Sequence, residues 1–361
     1  MKIVQILPEL NEGGVERGVV EFNRELVTLG HESIVISHGG KLVPQIRLGG
    51  GKYIDFDVCS KNPLTALFRI WSLKKILKTL QPDIVHVRSR VPAWLTYFAN
   101  KSLRLKIVST VHGFNSVNFY SAIMTKADTI ICVSKSIKEY IQKHYQVAEK
   151  KITIVPRGID LEFFNPKKRD EDFIATFKKE HNLQDKFVVT TVGRVTQLKD
   201  YETFIKAIAL LQDRYPDVIA LIVGGIREDK QEYFESLKKL IKEFGLQDRI
   251  IFAGSQAKIN QIYLLSDVVV SSSKKPESFG RSVAEAIAMN KAVVATNHGG
   301  VKDIIQESIN GYFFEIGDDK ELAKKIILAK ELKFNGYNYI RDNFSLEQMV
   351  EKTIGVYRSM I

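Results

Sequence analysis

The feature that most constrains this chain is a recurrence of short, β-branched apolar runs separated by stretches with helical periodicity. "KIVQIL" (2–7) is followed by "PELNEGGVERG" and then by "VVEFNRELVTLGHE", whose Val20, Leu26, Val27 and Leu29 fall on one helical face. "SIVIS" (33–37) is the next strand. Strand, glycine-rich turn, helix, strand is the opening of a parallel α/β domain. The pattern returns at "DIVHV" (83–87), "KIVSTV" (106–111), "TIICV" (129–133) and "ITIVP" (152–156). The polar segment "NPKKRDED" (165–172) interrupts it, and a second series then runs through "FVVTTVG" (187–193), "IALIVGG" (219–225), "IIFAG" (250–254), "VVVSSS" (268–273) and "AVVAT" (292–296), with helices at 201–215 and 230–244.

At 361 residues the chain exceeds what one core ordinarily supports. The expected architecture is therefore α/β with two Rossmann-like, doubly wound domains, residues 1–165 and 166–344, facing across a cleft. The boundary is placed near 163–186. A final helix, 345–361, with Ser345 as N-cap, is expected to return to the first domain. Open parallel sheets bind ligands at the carboxyl ends of their strands, so function belongs in the loops at that edge.

Composition removes several classes of function. No run of eighteen uncharged apolar residues occurs and "MKIVQILPEL" has no signal-peptide pattern, so a cytoplasmic location is expected. Cys59 and Cys132 stand apart and read as core filler, and the seven histidines make no zinc-like pair, so neither a metal nor a cofactor is indicated. "DFD" (55–57) matches a metal-carrying Asp-x-Asp triplet but lies far from the candidate loops. Of the net charge of +11, residues 1–165 carry 23 Lys and Arg against 14 Asp and Glu. Nucleic acid, anionic lipid and phosphorylated glycan would all satisfy that excess.

"PESFGRSVAEA" (276–286) is the segment richest in chemistry. Gly280 permits close backbone approach, and free amides at the start of the following helix suit a phosphate. Glu277 and Glu285 flank that amide cluster, where carboxylates would repel a diphosphate but accept hydrogen bonds from sugar hydroxyls. A ligand with diols on either side of a diphosphate is a nucleotide sugar.

These residues, with "EAIAMNKAVVATNHGG" after them, resemble the donor-binding signature of the retaining GT-B glycosyltransferases of family 4. "GGVERGV", "TVHG" (110–113), "VPRGID" (155–160), "VGRVTQLKD" (192–200), "LSDVVVSSS" (265–273) and "NGYFFEIGD" (310–318) extend the resemblance through nearly the whole chain. The resemblance implies that Glu277 binds hydroxyls of the transferred sugar and Glu285 the ribose diol. Arg194 and Lys199 would hold the diphosphate, with the amides of Phe279 and Gly280 at the sugar. Gly13 and Gly14 would approach the diphosphate, and His112 would sit at the reacting face. Taken alone, Gly13 and Gly14 also read as an ordinary strand-to-helix turn, His112 as a loop histidine, and Arg194 and Lys199 as solvated charges.

The family implies metal-independent transfer with retention, to a glycan or lipid-linked glycan in lipopolysaccharide or capsule assembly, from a UDP- or GDP-linked donor. A nucleotide-sugar epimerase of similar architecture is the alternative; a nucleic-acid-binding protein is the remoter one, since this basic chain shows no RRM, KH or helix-turn-helix pattern, and no nucleic acid partner is expected. Residues 63–80, "PLTALFRIWSLKKILKTL", set Leu67, Ile70, Trp71, Leu73, Leu77 and Leu80 to one side and Arg69, Lys74, Lys75 and Lys78 near the other edge. That pattern fits contact with an anionic membrane surface, and equally a helix packed on the sheet with its lysines in water.

Overall fold

Residues 1–11 and 13–361 are described by the computed structural model, and among them every strand pairing is parallel. The first sheet contains β1 (Lys2–Ile6), β2 (Glu32–Ser37), β3 (Lys52–Asp55), β4 (Ile84–Val87), β5 (Lys106–Val111), β6 (Thr129–Cys132) and β7 (Ile152–Ile154), in the order β3-β2-β1-β4-β5-β6-β7. The second contains β8 (Phe187–Val192), β9 (Val218–Val223), β10 (Ile250–Gly254), β11 (Val268–Ser271), β12 (Ala292–Thr296) and β13 (Gly311–Phe314), in the order β10-β9-β8-β11-β12-β13. Both are Rossmann-like doubly wound sheets. Their strand order reverses between β1 and β4 and between β8 and β11, the places where such sheets open for ligands.

Two edge strands, β3 and β13, were not among the expected ones. "KYID" carries charge at both ends and is half exposed, and "GYFF" opens on a glycine. An edge strand needs only one covered flank and so can do without the continuous apolar run of a central strand, although β7 and β10, at the opposite edges, keep one.

The chain divides into two compact units, Met1–Gly158 with Leu346–Ile361, and Ile159–Ser345. Residues 159–165, expected with the first domain, belong to the second unit. Phe164 lies 6.2 Å from the Tyr263 ring, Asn260 Nδ2 donates to the Phe163 carbonyl at 3.0 Å, and Ile159 bridges Ser345.

The terminal helix, Leu346–Arg358, buries Leu346, Val350, Ile354 and Tyr357 in the same core as Ile3, Phe22, Leu26, Ile84 and Val108. Each such side chain contributes roughly 1.5–3 kcal/mol by leaving water. A polar lock accompanies this packing. His86 of β4 is buried, with Nδ1 hydrogen-bonded to the Tyr357 hydroxyl at 2.5 Å and Nε2 to the Thr110 hydroxyl at 2.6 Å. The imidazole thus ties β4 to β5 and to the terminal helix.

Burial, reinforced by Arg88 and His112, holds the His86 imidazole well below its usual pKa. The unfolded chain protonates the same ring near pH ~6.5, so below that pH the unfolded state binds more protons than the folded one. Stability is therefore full above about pH 6.5 and falls as the pH drops below it. His86→Gln should cost roughly 1–2 kcal/mol at neutral pH through its imperfect hydrogen bonds, yet remove part of the acid dependence. Urea midpoints at neutral and mildly acidic pH check both effects; an unchanged dependence would assign the loss to other groups.

Candidate functional site

In the second unit, the loops after β8 and β11 meet at the point of strand reversal. The first runs from Gly193 to Asp200, where Asp200 (φ 51) caps the helix Tyr201–Leu211. Ser272 Oγ donates to the carbonyls of Lys199 (2.8 Å) and Asp200 (3.1 Å), and the Lys274 amide donates to the Leu198 carbonyl (2.9 Å). These bonds fix Lys199 against the second loop. Its ammonium donates to Glu277, whose Oε1 also accepts from Ser273 Oγ at 2.9 Å.

Burial disfavours the Glu277 carboxylate, but the Lys199 charge and hydrogen bond, with help from Ser273 and His298, outweigh it and hold the carboxyl below its usual range. Glu277 is therefore ionised at neutral pH and can only accept hydrogen bonds. It suits the binding of hydroxyls and does not suit proton donation.

The backbone beneath this carboxylate is held by two glycines that follow β12. Glu277 bridges Gly299, and the Gly300 amide donates to the Glu277 carbonyl at 2.7 Å. A Cβ on Gly299 (φ 73) would stand 2.5 Å from that carbonyl oxygen, and one on Gly300 would stand 2.6 Å from the Phe279 Cα. Only hydrogen atoms fit between the loops. Gly280 (φ 100) opens the helix Arg281–Ala288, and a Cβ there would meet Val301 Cγ1 at 2.6 Å.

Phe279 reaches the site through its backbone alone, because its ring is buried 6.0 Å from the Phe344 ring. Glu285 is buried one turn into the helix, but not unpaired: it accepts from Tyr263 at 3.0 Å and from Arg281 Nε at 2.9 Å. Arg194 is exposed and, among the described residues, makes no side-chain hydrogen bond or ion pair.

The first unit holds a second constellation at its own strand ends. Gly14 begins the helix Gly14–Thr28, and Arg157, after β7, donates through Nη1 to the Gly14 carbonyl at 2.5 Å and through Nη2 to His112 Nδ1 at 3.2 Å. Gly13 is extended (φ 173), and a Cβ there would meet only the movable Glu16 carboxylate, so the fold itself does not demand a glycine at that position. Burial first, then Arg157 and Arg88, push His112 well below its usual pKa and keep it neutral. A guanidinium only donates, so Nδ1 is the acceptor and the proton sits on Nε2. That Nε2 is buried with no hydrogen-bond partner among the described residues, beside a cavity of about 260 Å³ lined by Arg88, Arg90, Thr110 and Gly113. His112 is thus poised to donate a hydrogen bond, not to take a proton.

Lys199 and Glu277 are in direct contact, Glu285 stands one turn into the adjoining helix, and His112 joins Gly14 through Arg157. Sequence reasoning did not single out Arg157, Ser273, Tyr263 or the Gly299–Gly300 pair. Three of these lay within quoted motifs, "VPRGID", "LSDVVVSSS" and "NHGG", and in the last a paired glycine was the readable sign of close backbone approach. "DFD" has a local explanation, since Asp57 Oδ1 accepts from the amides of Cys59 (3.1 Å) and Ser60 (2.9 Å).

Residues 12–163 match the Glycosyltransferase Family 4 domain and residues 173–344 the Glycosyl transferases group 1 domain. A crystal structure of a glycosyltransferase from Rickettsia africae is 32% identical, covers 99% of this chain and 98% of its own, and superposes with a TM-score of 0.91. The chain is a GT-B glycosyltransferase. The lipopolysaccharide core biosynthesis mannosyltransferase LpcC of Rhizobium leguminosarum is 26% identical over 66% of each chain. Anabaena HepE, solved in complex with UDP, shares the fold with a TM-score of 0.87 at 20% identity, covering 99% of this chain and all of its own.

The glycine clamp carries a test independent of activity. Gly299→Ala should lower stability by about 1–3 kcal/mol through its left-handed backbone and the forced separation of the loops. Gly113→Ala, with nothing within 4 Å of the added Cβ, should leave the thermal midpoint unchanged. Equal midpoints for the two variants would show that the loops can part without cost.

Proposed function

We propose that this glycosyltransferase moves a sugar from a UDP- or GDP-linked donor, with retention of configuration, to a hydroxyl of a glycan or lipid-linked acceptor in cell-envelope polysaccharide assembly. The observation that carries the donor reading is the ionised, Lys199-paired Glu277 set immediately before the amides of Phe279 and Gly280. The diphosphate would lie at the N-terminus of the helix Arg281–Ala288, where amide dipoles favour an anion. Lys199 has three donor protons, so it can serve both Glu277 and a phosphate oxygen, and Arg194 has its guanidinium available. Together they would neutralise charge as the nucleoside diphosphate departs, the electrostatic work that dominates many enzymatic rate enhancements.

In this reading Glu277 accepts from the sugar hydroxyls and Glu285 from the ribose diol. Glu285 keeps its orientation through Arg281 and Tyr263. The acceptor hydroxyl enters on the face from which the diphosphate leaves and gives its proton to a phosphate oxygen, while His112 Nε2 donates to a sugar oxygen. No catalytic metal is assigned. HepE and its UDP complex support a UDP donor by likeness of fold, and LpcC supports an envelope role by descent.

A membrane-facing role for the first unit belongs to the same reading. The helix Pro63–Leu80 buries Leu73, Leu77 and, against expectation, Arg69, whose guanidinium bonds the carbonyls of Ser60 (2.9 Å) and Asn62 (3.0 Å). Leu64, Leu67, Phe68 and Trp71 stand 89, 79, 68 and 52% exposed at i, i+3, i+4 and i+7, one stripe turned to solvent. Lys75 lies 3.4 Å over the Trp71 ring. Residues 58–127 carry eleven Lys and Arg against a single acid, Asp83. An apolar stripe within such a basic surface suits an anionic bilayer. Among the described residues no helix is long and apolar enough to cross a membrane.

Glu285→Ala should weaken donor binding roughly 10–100-fold, the worth of charged hydrogen bonds, and Lys199→Ala should lower kcat by about 10²–10³. Thermal shift with UDP- and GDP-sugars and a transfer assay read the two; wild-type behaviour in both variants would sink the assignment. Sedimentation with anionic liposomes at low salt should retain the protein and lose it on Leu67→Glu, and absence of binding by the unaltered chain would remove the membrane contact.

A further inference from the structure

Beside the cavity at His112, the first unit carries a second hollow of about 650 Å³ whose lining is predominantly apolar. Its walls are Ala66 and Ile70 of the helix Pro63–Leu80 and Val91, Trp94 and Phe98 of the helix Arg90–Asn100, with Phe119 at 81% exposure on its lip. The Trp94 ring lies 5.7 Å from Phe98 and 5.3 Å from Phe119, and its Nε1 donates to the Tyr120 carbonyl at 3.0 Å. With its polar atom already satisfied, Trp94 offers a ligand only hydrocarbon contact, while Tyr120, which also lines the hollow, has a buried hydroxyl with no hydrogen-bond partner among the described residues.

The polar residues of the lining are different. Arg90 lines both this hollow and the His112 cavity. Its Nη1 donates to Ser121 Oγ at 3.2 Å and its guanidinium lies 5.4 Å from the Tyr120 ring centroid, so it is oriented without a carboxylate partner among the described residues. Lys61, exposed, also borders the hollow and makes no ion pair among the described residues. Arg69 is occupied by its own loop. Two cations without counter-ions among the described residues therefore border the apolar trough, Lys61 just before the helix Pro63–Leu80 and Arg90 at the start of the helix Arg90–Asn100, and Arg90 connects it to the His112 cavity.

We infer that the acceptor of the transferase reaction proposed above is a phosphate-bearing lipid, its hydrocarbon tail in the hollow and its phosphate on Arg90 and Lys61. The end that bears the hydroxyl then reaches the His112 cavity. Charge complementarity and the shared Arg90 select this occupant: a neutral lipid would leave both cations unanswered, and a small anion would leave the aromatic wall bare.

Of the chain's two tryptophans Trp94 lines the hollow and Trp71 stands exposed on the helix Pro63–Leu80, so Trp71→Phe leaves Trp94 as a single reporter. Full-length protein carrying that substitution is titrated with farnesyl phosphate below its micelle concentration. A saturable change in Trp94 emission is expected, with farnesol and inorganic phosphate each roughly tenfold weaker or worse. Ala66→Phe, which fills the trough, and Phe119→Ala, which truncates an exposed ring, should each weaken farnesyl phosphate, and Arg90→Gln should reduce it to the level of farnesol.

Equal responses to farnesol and farnesyl phosphate, an unsaturable signal, or indifference to both trough variants would overturn the inference. Inorganic phosphate binding as tightly as the lipid phosphate would overturn it in favour of a small anionic acceptor. Thermal shifts with UDP- and GDP-sugars on the same variants keep the two readings apart. Nucleotide shifts without lipid phosphate binding defeat the acceptor inference alone, and lipid phosphate binding without any nucleotide shift defeats the donor reading alone.

Discussion

Every strand in both sheets runs the same way, and most of what distinguishes this protein follows from that constraint. Parallel strands require crossover helices, so strand-to-helix loops gather along the carboxyl edge and helix N-termini point toward it. Where the strand order reverses, neighbouring crossovers leave on opposite faces and the edge opens. Gly193–Asp200 and Ser272–Gly280 lie on either side of such a reversal in the second unit. Gly13, Gly14 and His112 occupy the corresponding edge of the first.

An edge lined with amides favours anions, which makes the carboxylates there the informative residues. A buried carboxylate without a partner would be protonated or would destabilise the fold. Glu277 escapes both outcomes through Lys199, Ser273 and His298, and Glu285 is paired with Arg281 and Tyr263. Each remains an acceptor oriented before any ligand arrives. The same logic fixes His112: burial, helped by two neighbouring arginines, keeps it neutral, and the arginine that bonds Nδ1 places its proton on Nε2. Lys199 and Arg157 act from distant parts of the chain, whereas Ser273 and Arg281 reach Glu277 and Glu285 from four residues away.

How much of this was legible depended on the range of the interaction. Central strands announced themselves because both faces are covered and their residues are uniformly apolar. Edge strands β3 and β13 did not, since only one flank needs covering. The helix Pro63–Leu80 had the right residues and an incomplete assignment of faces: periodicity grouped Leu67 and Trp71 with Leu73 and Leu77, but only the latter pair meets the core. Arg69 was placed with the solvated lysines, because nothing local shows that the carbonyls of Ser60 and Asn62 will turn to meet it.

The sequence by itself determined the class of fold, the near position of the junction between the two units, and the residue types of the loops at the carboxyl edge, since these rest on local periodicity, turn chemistry and ordered motifs. Tertiary structure alone decided which carboxylates are paired, which nitrogen of His112 carries the proton, why Gly299 and Gly300 must lack side chains, and that Arg90 borders two cavities. Those properties arise between segments far apart along the chain. A pairing across such distances has no period, so it becomes visible only when the backbone brings its partners together.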